Sequence, residues 1–300
     1  MKLYAYNAGK GDCVRVEVGS HIIFIDTGVT RFGNDFRSIC EKIITSGGCL
    51  DLLILTHVDD DHIGGILHLL RLGWKCPFKE VRMNADAQTS VNSLLSTAQN
   101  NEVYKRLTDQ GVTILPMMVG DEIILDEARI RTLWPKELYG QGRTNAPLAY
   151  QRDHGMLLSD LASMPINHSD TSINNRNSIV FTLSCNDRNL LFTGDAWGID
   201  IIDALEASDI LEFDLVKLPH HGAVGNLTDK FPEYIRSTNF LICTDGRMHP
   251  DKQTIAKLMS WYGNVTIYSP SDWWSKGFFI EKDNRLGVNM IQKEGQFLEL

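Results

Sequence analysis

The sequence predicts an α/β protein in which two β-sheets are sandwiched between helices, and three observations carry that expectation. The first 30 residues read as strands, V-R-V-E-V alternating apolar and polar positions and a turn joining it to a buried run. Strand and helix patterns then alternate along the chain. The second half repeats the style of the first, with hairpins followed by strand–helix units.

In order, L-Y-A-Y leads through a glycine-rich turn (A-G-K-G-D) to V-R-V-E-V, a half-exposed strand. A Gly19-Ser20 turn joins it to the buried run H-I-I-F-I-D-T-G, which predicts a hairpin. Residues 34–46 have helical periodicity, with Asn34 or Asp35 as the expected cap and Gly47-Gly48 as the stop. The apolar strand D-L-L-I-L-T runs into His57, and I-G-G-I-L-H-L-L-R-L reads as the next helix, so residues 57–62 are expected on the loop between them. F-K-E-V-R-M-N is read as a strand, residues 90–110 as a helix, V-T-I-L-P as a strand, and D-E-I-I-L-D with A-R-I-R-T-L-W as a hairpin. Residues 136–176 are polar and irregular, which predicts an insertion or lid with a short helix at 155–163. Beyond it, S-I-V-F-T-L-S-C and L-L-F-T-G-D form a hairpin ending at Asp195. A helix at 199–208 precedes the strand F-D-L-V-K-L-P, and a strand N-F-L-I-C-T-D precedes His249-Pro250. A helix at 251–261, the strand N-V-T-I-Y and a hairpin of F-F-I-E with G-V-N-M-I close the reading.

With 300 residues, 43% of them hydrophobic, the chain can bury a large core, and residues 1–300 are read as one domain carrying that insertion. No apolar run approaches the roughly 18 residues of a membrane helix, and M-K-L-Y-A-Y lacks the apolar stretch of a signal peptide. A cytoplasmic location without a membrane partner is therefore expected. Six cysteines without a C-x-x-C pair argue against a zinc ribbon or a disulfide framework and predict buried small hydrophobes. A net charge of −9 gives no global attraction to nucleic acid, although a locally basic groove or bound cations could supply it.

The chemistry is concentrated in H-V-D-D-D-H, residues 57–62. His57, Asp59, Asp61 and His62 put four oxygen or nitrogen donors where they can converge on one or two cations. Three adjacent carboxylates would otherwise repel one another beside a hydrophobic strand. An acidic surface turn with incidental histidines is the plain alternative, but the run lies between a buried strand and an apolar helix. Gly194-Asp195 and P-H-H-G (residues 219–222) are weaker alone, yet each also comes after a buried strand. In a sheet with parallel neighbours such strand ends lie along one edge and can form one site. No P-loop or nucleophile elbow is found. Trp273-Trp274 reads as core or interface rather than a stacking platform.

These motifs resemble those of metallo-β-lactamase-fold hydrolases nearly end to end. T-H-V-D-D-D-H is similar to the family's H-x-H-x-D-H, L-L-F-T-G-D to its later G-D, and L-P-H-H-G to its last histidine motif. The resemblance implies a four-layer αββα sandwich of two mixed β-sheets flanked by helices. It implies two divalent metal ions, zinc or manganese, held by His57, Asp59, Asp61, His62, Asp195 and His221. Asp26 in F-I-D-T-G would steady the ligand loop. Asp59 stands where the family usually has a second histidine, and a harder oxygen donor tolerates manganese more readily. The middle histidine before S-I-V-F-T-L has no clear match: His168 is some ten residues early, and Asn174 or Asn177 occupies the region. H-x-D-x-D-H with G-K-G-D, N-x-N-S and L-P-H-H-G is similar to the hydrolase domain of the ComEC-type DNA-uptake competence proteins.

The implied mechanism is hydrolysis by a metal-activated water that Asp61 orients as well as binding metal, with His220 or His249 protonating the leaving group. Asp61 and His249 are thus the expected catalytic residues. The leading expectation is a phosphodiesterase or nuclease acting on nucleic acid. Hydrolysis of a small ester, lactone or amide is the second reading, and a catalytically idle metal-binding scaffold for a protein partner the third; no feature of the sequence indicates such a partner.

Overall fold

Successive side chains of a strand point to opposite faces of its sheet. In β1 (Lys2–Ala5), β2 (Val14–Val18) and β3 (His21–Ile25), Val14, Val16, Ile23 and Ile25 face one way and Phe24 the other. The three strands form an antiparallel meander with Val18 opposite His21 across the Gly19-Ser20 turn. A computed structural model gives this fold for residues 1–85, 95–140, 153–167 and 169–300, the side chains of 95–97 excepted.

Helix α1 (Gly33–Thr45), β4 (Leu50–Leu55), α2 (Asp60–Arg71), β5 (Glu80–Met83), α3 (Leu95–Asp109) and β6 (Thr113–Leu115) extend the first sheet with parallel strands. The second sheet starts with the antiparallel strands β7 (Glu122–Leu125) and β8 (Ala128–Trp134). Short helices α4 (Leu158–Ser163) and α5 (Ile173–Arg176) come next, then the hairpin β9 (Val180–Cys185) and β10 (Arg188–Phe192). After it the chain forms α6 (Gly198–Glu206), β11 (Leu215–Lys217), α7 (Phe231–Tyr234), β12 (Asn239–Leu241), α8 (Lys252–Tyr262), β13 (Val265–Ser269) and β14 (Val288–Gln292), the strands all parallel. The last strand, β15 (Gly295–Glu299), returns to the first sheet beside β1.

The seven-stranded sheet runs β15-β1-β2-β3-β4-β5-β6 and the eight-stranded one β14-β13-β12-β11-β10-β9-β8-β7. Ile23, Ile54, Phe181, Leu190 and Phe192 fill the space between them. Phe24, Phe36, Leu53 and Ile66 pack the outer face of the first sheet under α1 to α3. Val216, Phe240, Ile201 and Ile255 do the same for the second under α6 and α8. Two mixed sheets flanked by helices are the expected architecture. Among the described residues, no helix is long and apolar enough to cross a membrane.

Three local expectations are corrected. The cap of α1 is Phe32 rather than Asn34 or Asp35, because a 3-10 turn at Thr30–Phe32 runs straight into the helix and supplies backbone continuity. The segment after His57 is helical from Asp60, so Asp61 and His62 lie in the first turn of α2 and not on a loop. The closing hairpin does not exist: residues 278–281 form no strand, Phe278 packs edge-on against Trp273 at 4.7 Å, and β14 pairs with β13 instead. Part of the insertion, residues 141–152 with His168, lies outside the described residues, as does the start of the helix expected at 90–110. Four of the six cysteines are buried, whereas Cys49 is exposed and Cys76 half-buried.

Helix α2 is stitched to the D-T-G turn by Thr27 N–H donating to His62 O at 2.8 Å and Gly65 N–H donating to Gly28 O at 2.9 Å. At that approach a Cβ on Gly65 would lie 2.1 Å from Thr27 O, which is backbone and cannot step aside. In an ordinary helix Gly→Ala stabilises by about 1 kcal/mol. Here the sign reverses: Gly65→Ala is expected to lower stability by about 1–3 kcal/mol, the usual cost of overpacking. Thermal and urea unfolding of the two proteins checks it, and a variant as stable as the parent would refute the close-packing account.

Candidate metal centre

The apolar strand β4 delivers Thr56 and His57 into the interior, where His57 is 5% exposed. A single buried carboxylate, Asp26, fixes both ends of the H-V-D-D-D-H segment. At φ 58, it accepts from Thr56 N–H at 2.7 Å and from the Thr56 hydroxyl at 2.7 Å, and its Oδ2 lies 2.7 Å from His62 Nδ1. Aspartate tolerates this left-handed backbone better than most side chains. Tying down Nδ1 leaves His62 Nε2 to face the site, the usual way a carboxylate orients a ligating histidine.

His221 is held by the same device. Its Nδ1 lies 3.1 Å from Asp12 Oδ1 and 2.9 Å from Cys243 O, so its Nε2 also faces inward. Asp12 comes from the G-K-G-D turn, whose backbone is tied to α2 by Asp12 N–H donating to Asp61 O. Its other oxygen pairs with Lys217, whose ammonium donates to Gly194 O at 2.8 Å. Although Asp12 clusters with His62, Asp195 and His221, it meets His221 on the Nδ1 side. We therefore read it as orienting His221 rather than ligating.

Asp195, just after β10, is the hub. His62 Nε2 is 3.3 Å from its Oδ1, while His57, His221 and His220 Nε2 are 3.8, 3.5 and 3.8 Å from its Oδ2. Asp59 Oδ2 is 4.0 Å from His57 Nε2, and its Oδ1 accepts from Asn174 Nδ2 at 2.9 Å. Asp61 Oδ2 is 3.6 Å from His221 Nε2 and 2.7 Å from Lys10 Nζ. All six residues expected as ligands thus meet in one place, at a seam between the two sheets rather than along one edge. A cavity of about 350 Å³, walled by Lys10, Asp59, Asp61, Asp195, His220 and His249, opens onto them. His249 stands in the wall, its Nδ1 3.7 Å from Asp251 Oδ2 and its ring 4.9 Å from that of His220. Asp170, Ser172 and Asn175, from the expected insertion, line the same cavity.

The donor set fits a divalent cation. His57 Nε2, His62 Nε2, His221 Nε2 and Asp195 Oδ1 are buried without a hydrogen-bond partner among the described residues. Four such atoms aimed at one another are costly unless something positive joins them. The charges say the same. Burial pushes Asp195 up, but His62, His221 and His220 outweigh it and hold the carboxyl well below its ordinary range. Burial lowers His221, yet Asp195 and Asp12 raise it to about 9. His62 is raised in the same way by Asp195 and Asp26 against burial. His57 moves down, through burial and then the nearby His62. The protons that His62 and His221 hold beside the ionised Asp195 are ones that a cation would displace on entering.

The motifs assigned no site role to Asp12, Lys217 or Lys10. Lys217 left a signal, since a lysine inside the apolar strand L-V-K-L is rarely buried unless paired.

A family model for the metallo-beta-lactamase superfamily matches residues 6–82, from the end of β1 to β5 and including both D-T-G and H-V-D-D-D-H. Among solved structures, Zn(2+)-bound PqqB from Methylobacterium extorquens is 12% identical and superposes with a TM-score of 0.52, covering 100% of each chain. The metallo-beta-lactamase fold protein YhfI from Bacillus subtilis is 10% identical with a TM-score of 0.50, covering 99% of each chain. No curated protein matches the chain. The family model over the first part of the chain and both structures agree with the fold, and the protein has the metallo-β-lactamase fold, a four-layer αββα sandwich.

Proposed function

We propose that the protein is a metal-dependent phosphodiesterase acting on nucleic acid. The observation that carries this reading is the carboxylate-rich donor set around Asp195, at the floor of a cavity lined by charged and polar residues with Lys10 at its edge. The zinc bound by the PqqB structure supports a cation here, as do the unpartnered donors. Asp59, an oxygen donor, favours manganese over a histidine-rich zinc site.

His57, Asp59 and Asp195 would hold one ion, and Asp61, His62, His221 and Asp195 a second. When bound, divalent ions supply an acidified water and charge stabilisation at phosphorus. Two of them would exceed the three ligating carboxylates by one positive charge, so the cavity would suit an anionic phosphodiester better than a neutral lactone. Asp61 orients the attacking water. The Lys10 ammonium, 49% exposed, is free to turn from Asp61 to a substrate phosphate. His249 would hydrogen-bond the leaving oxygen from the cavity wall. The resemblance of H-x-D-x-D-H and L-P-H-H-G to the competence-protein hydrolase domains supports nucleic acid as the polymer. Small-ester hydrolysis is the outcome to expect if phosphodiesters fail and lactones turn over.

Purified protein with manganese should cleave plasmid or single-stranded DNA, lose the activity to a chelator and regain it with excess Mn²⁺. Asp61→Ala should lower the rate at least ~100-fold, the scale of losing a group that acts on the reacting atoms. Unchanged cleavage by that variant would overturn the mechanism. Lys10→Ala should raise KM about tenfold with kcat little changed, as loss of one charge-assisted contact to substrate implies. A fall confined to kcat would assign Lys10 to the chemical step instead.

A further inference from the structure

In the partition proposed above, the two ions have unequal donor sets. Asp61, His62 and His221 join Asp195 at one ion, which makes four protein ligands. At the other only His57 and Asp59 join it, because the segment before β9 offers Asn174 and Asn177 where a third donor would be sought. Asn174 lines a separate cavity with Thr56 and Asn177, and it turns its Nδ2 to Asp59, while its Oδ1 has no hydrogen-bond partner among the described residues. Asn177 Nδ2 donates to Tyr139 O at 3.0 Å, while its Oδ1 accepts from Tyr139 N–H at 2.8 Å.

We propose that His220 is the missing donor, ligating through Nε2 the ion that His57, Asp59 and Asp195 share. Three observations support it, and it rests on the metal-centre reading above. First, His220 Nε2 lies 3.8 Å from Asp195 Oδ2, the same distance from the same oxygen as His57 Nε2. Second, its Nδ1 is tied down as in the other inward-facing histidines, 2.9 Å from Asn226 Oδ1 and 3.5 Å from Asp170 Oδ2. Asn226 is itself fixed, its Nδ2 donating to Asp195 O at 3.0 Å and Asp170 Oδ2 at 2.9 Å. Third, the backbone is held in an unusual shape at this point. His220 (φ 47), His221 (φ 54) and Gly222 (φ 85) are three successive left-handed residues, the first two at a steric cost of about 1–2 kcal/mol each. Strain kept at two adjacent histidines is expected where both imidazoles are used. A turn needing only His221 would have no reason to hold His220 in that conformation.

In this arrangement His220 is a ligand and not a proton donor, which leaves His249 as the imidazole available to the leaving group. The adjacent pair then divides between two ions, His221 to one and His220 to the other.

The test is metal stoichiometry, read without catalysis. The full chain is stripped with chelator and titrated with Mn²⁺ by calorimetry, and the spin-coupled manganese signal is recorded by electron paramagnetic resonance. The parent should bind two ions and give a coupled signal. His220→Ala should bind one ion at near-parental affinity and the second at least ~100-fold more weakly, with the coupled signal lost. His220→Asp, whose carboxylate can ligate and whose backbone accepts a left-handed φ, should recover the second ion at least in part; circular dichroism establishes that each variant folds. His249→Ala should keep both ions. Two ions of parental affinity in His220→Ala would overturn the assignment and return His220 to a proton-donor role. A parent that binds no ion would overturn the metal-centre reading as well, whereas two ions without DNA cleavage would leave this assignment standing and refute only the phosphodiesterase reading.

Discussion

Buried negative charge is the constraint around which this molecule is arranged. Asp12, Asp26 and Asp195 are each at most 2% exposed and lie within a few ångströms of one another's partners. Carboxylates in such a place persist only when paired or hydrogen-bonded, and each is answered differently. Asp26 is hydrogen-bonded by Thr56 and met by His62, Asp12 is paired with Lys217 and His221, and Asp195 is surrounded by the ring of imidazoles. The carboxylate at the centre is the one left with an unpartnered oxygen.

Around that centre the fold works as a positioning frame. The inner face of each sheet is mostly apolar, Lys217 at the end of β11 being a charged exception, and His57, Asp26, Asp195 and His221 come from the residues just after β4, β3, β10 and β11. Glycine makes the seam tight: a Cβ on Gly11 would fall 1.9 Å from Asp61 O. The G-K-G-D turn can therefore lie directly on α2 and bring Asp12 under His221.

The architecture was legible because both periodicities are strong. H-I-I-F-I and D-L-L-I-L read as buried strands, and buried strands they are. The candidate metal-ligand cluster was legible because donor residues come directly after strand ends. What the sequence could not give was the partner of each imidazole. Asp12 and His221 are 209 residues apart, and no local pattern links them. The start of α2 was misplaced because three aspartates in a row read as a loop, whereas acidic residues also suit a helix's first turn. The F-F-I-E hairpin failed for another reason: an apolar run satisfies a strand pattern equally well when its side chains plug a gap beneath Trp273. Lys217 was read as part of a strand, and its charge was the clue to a pairing partner.

The seam also determines what a fragment of this protein can be. His57 and His62 come after β4, in the first sheet, whereas Asp195 and His221 come after strands of the second, so the hub meets groups from both halves of the chain. Any cut between residues 62 and 195 leaves one piece with His57, Asp59, Asp61 and His62 and the other with Asp195 and His221, and neither piece retains the geometry. The site is consequently a property of the assembled halves and of no contiguous stretch within either, so complementation between two separately made pieces would report directly on their docking.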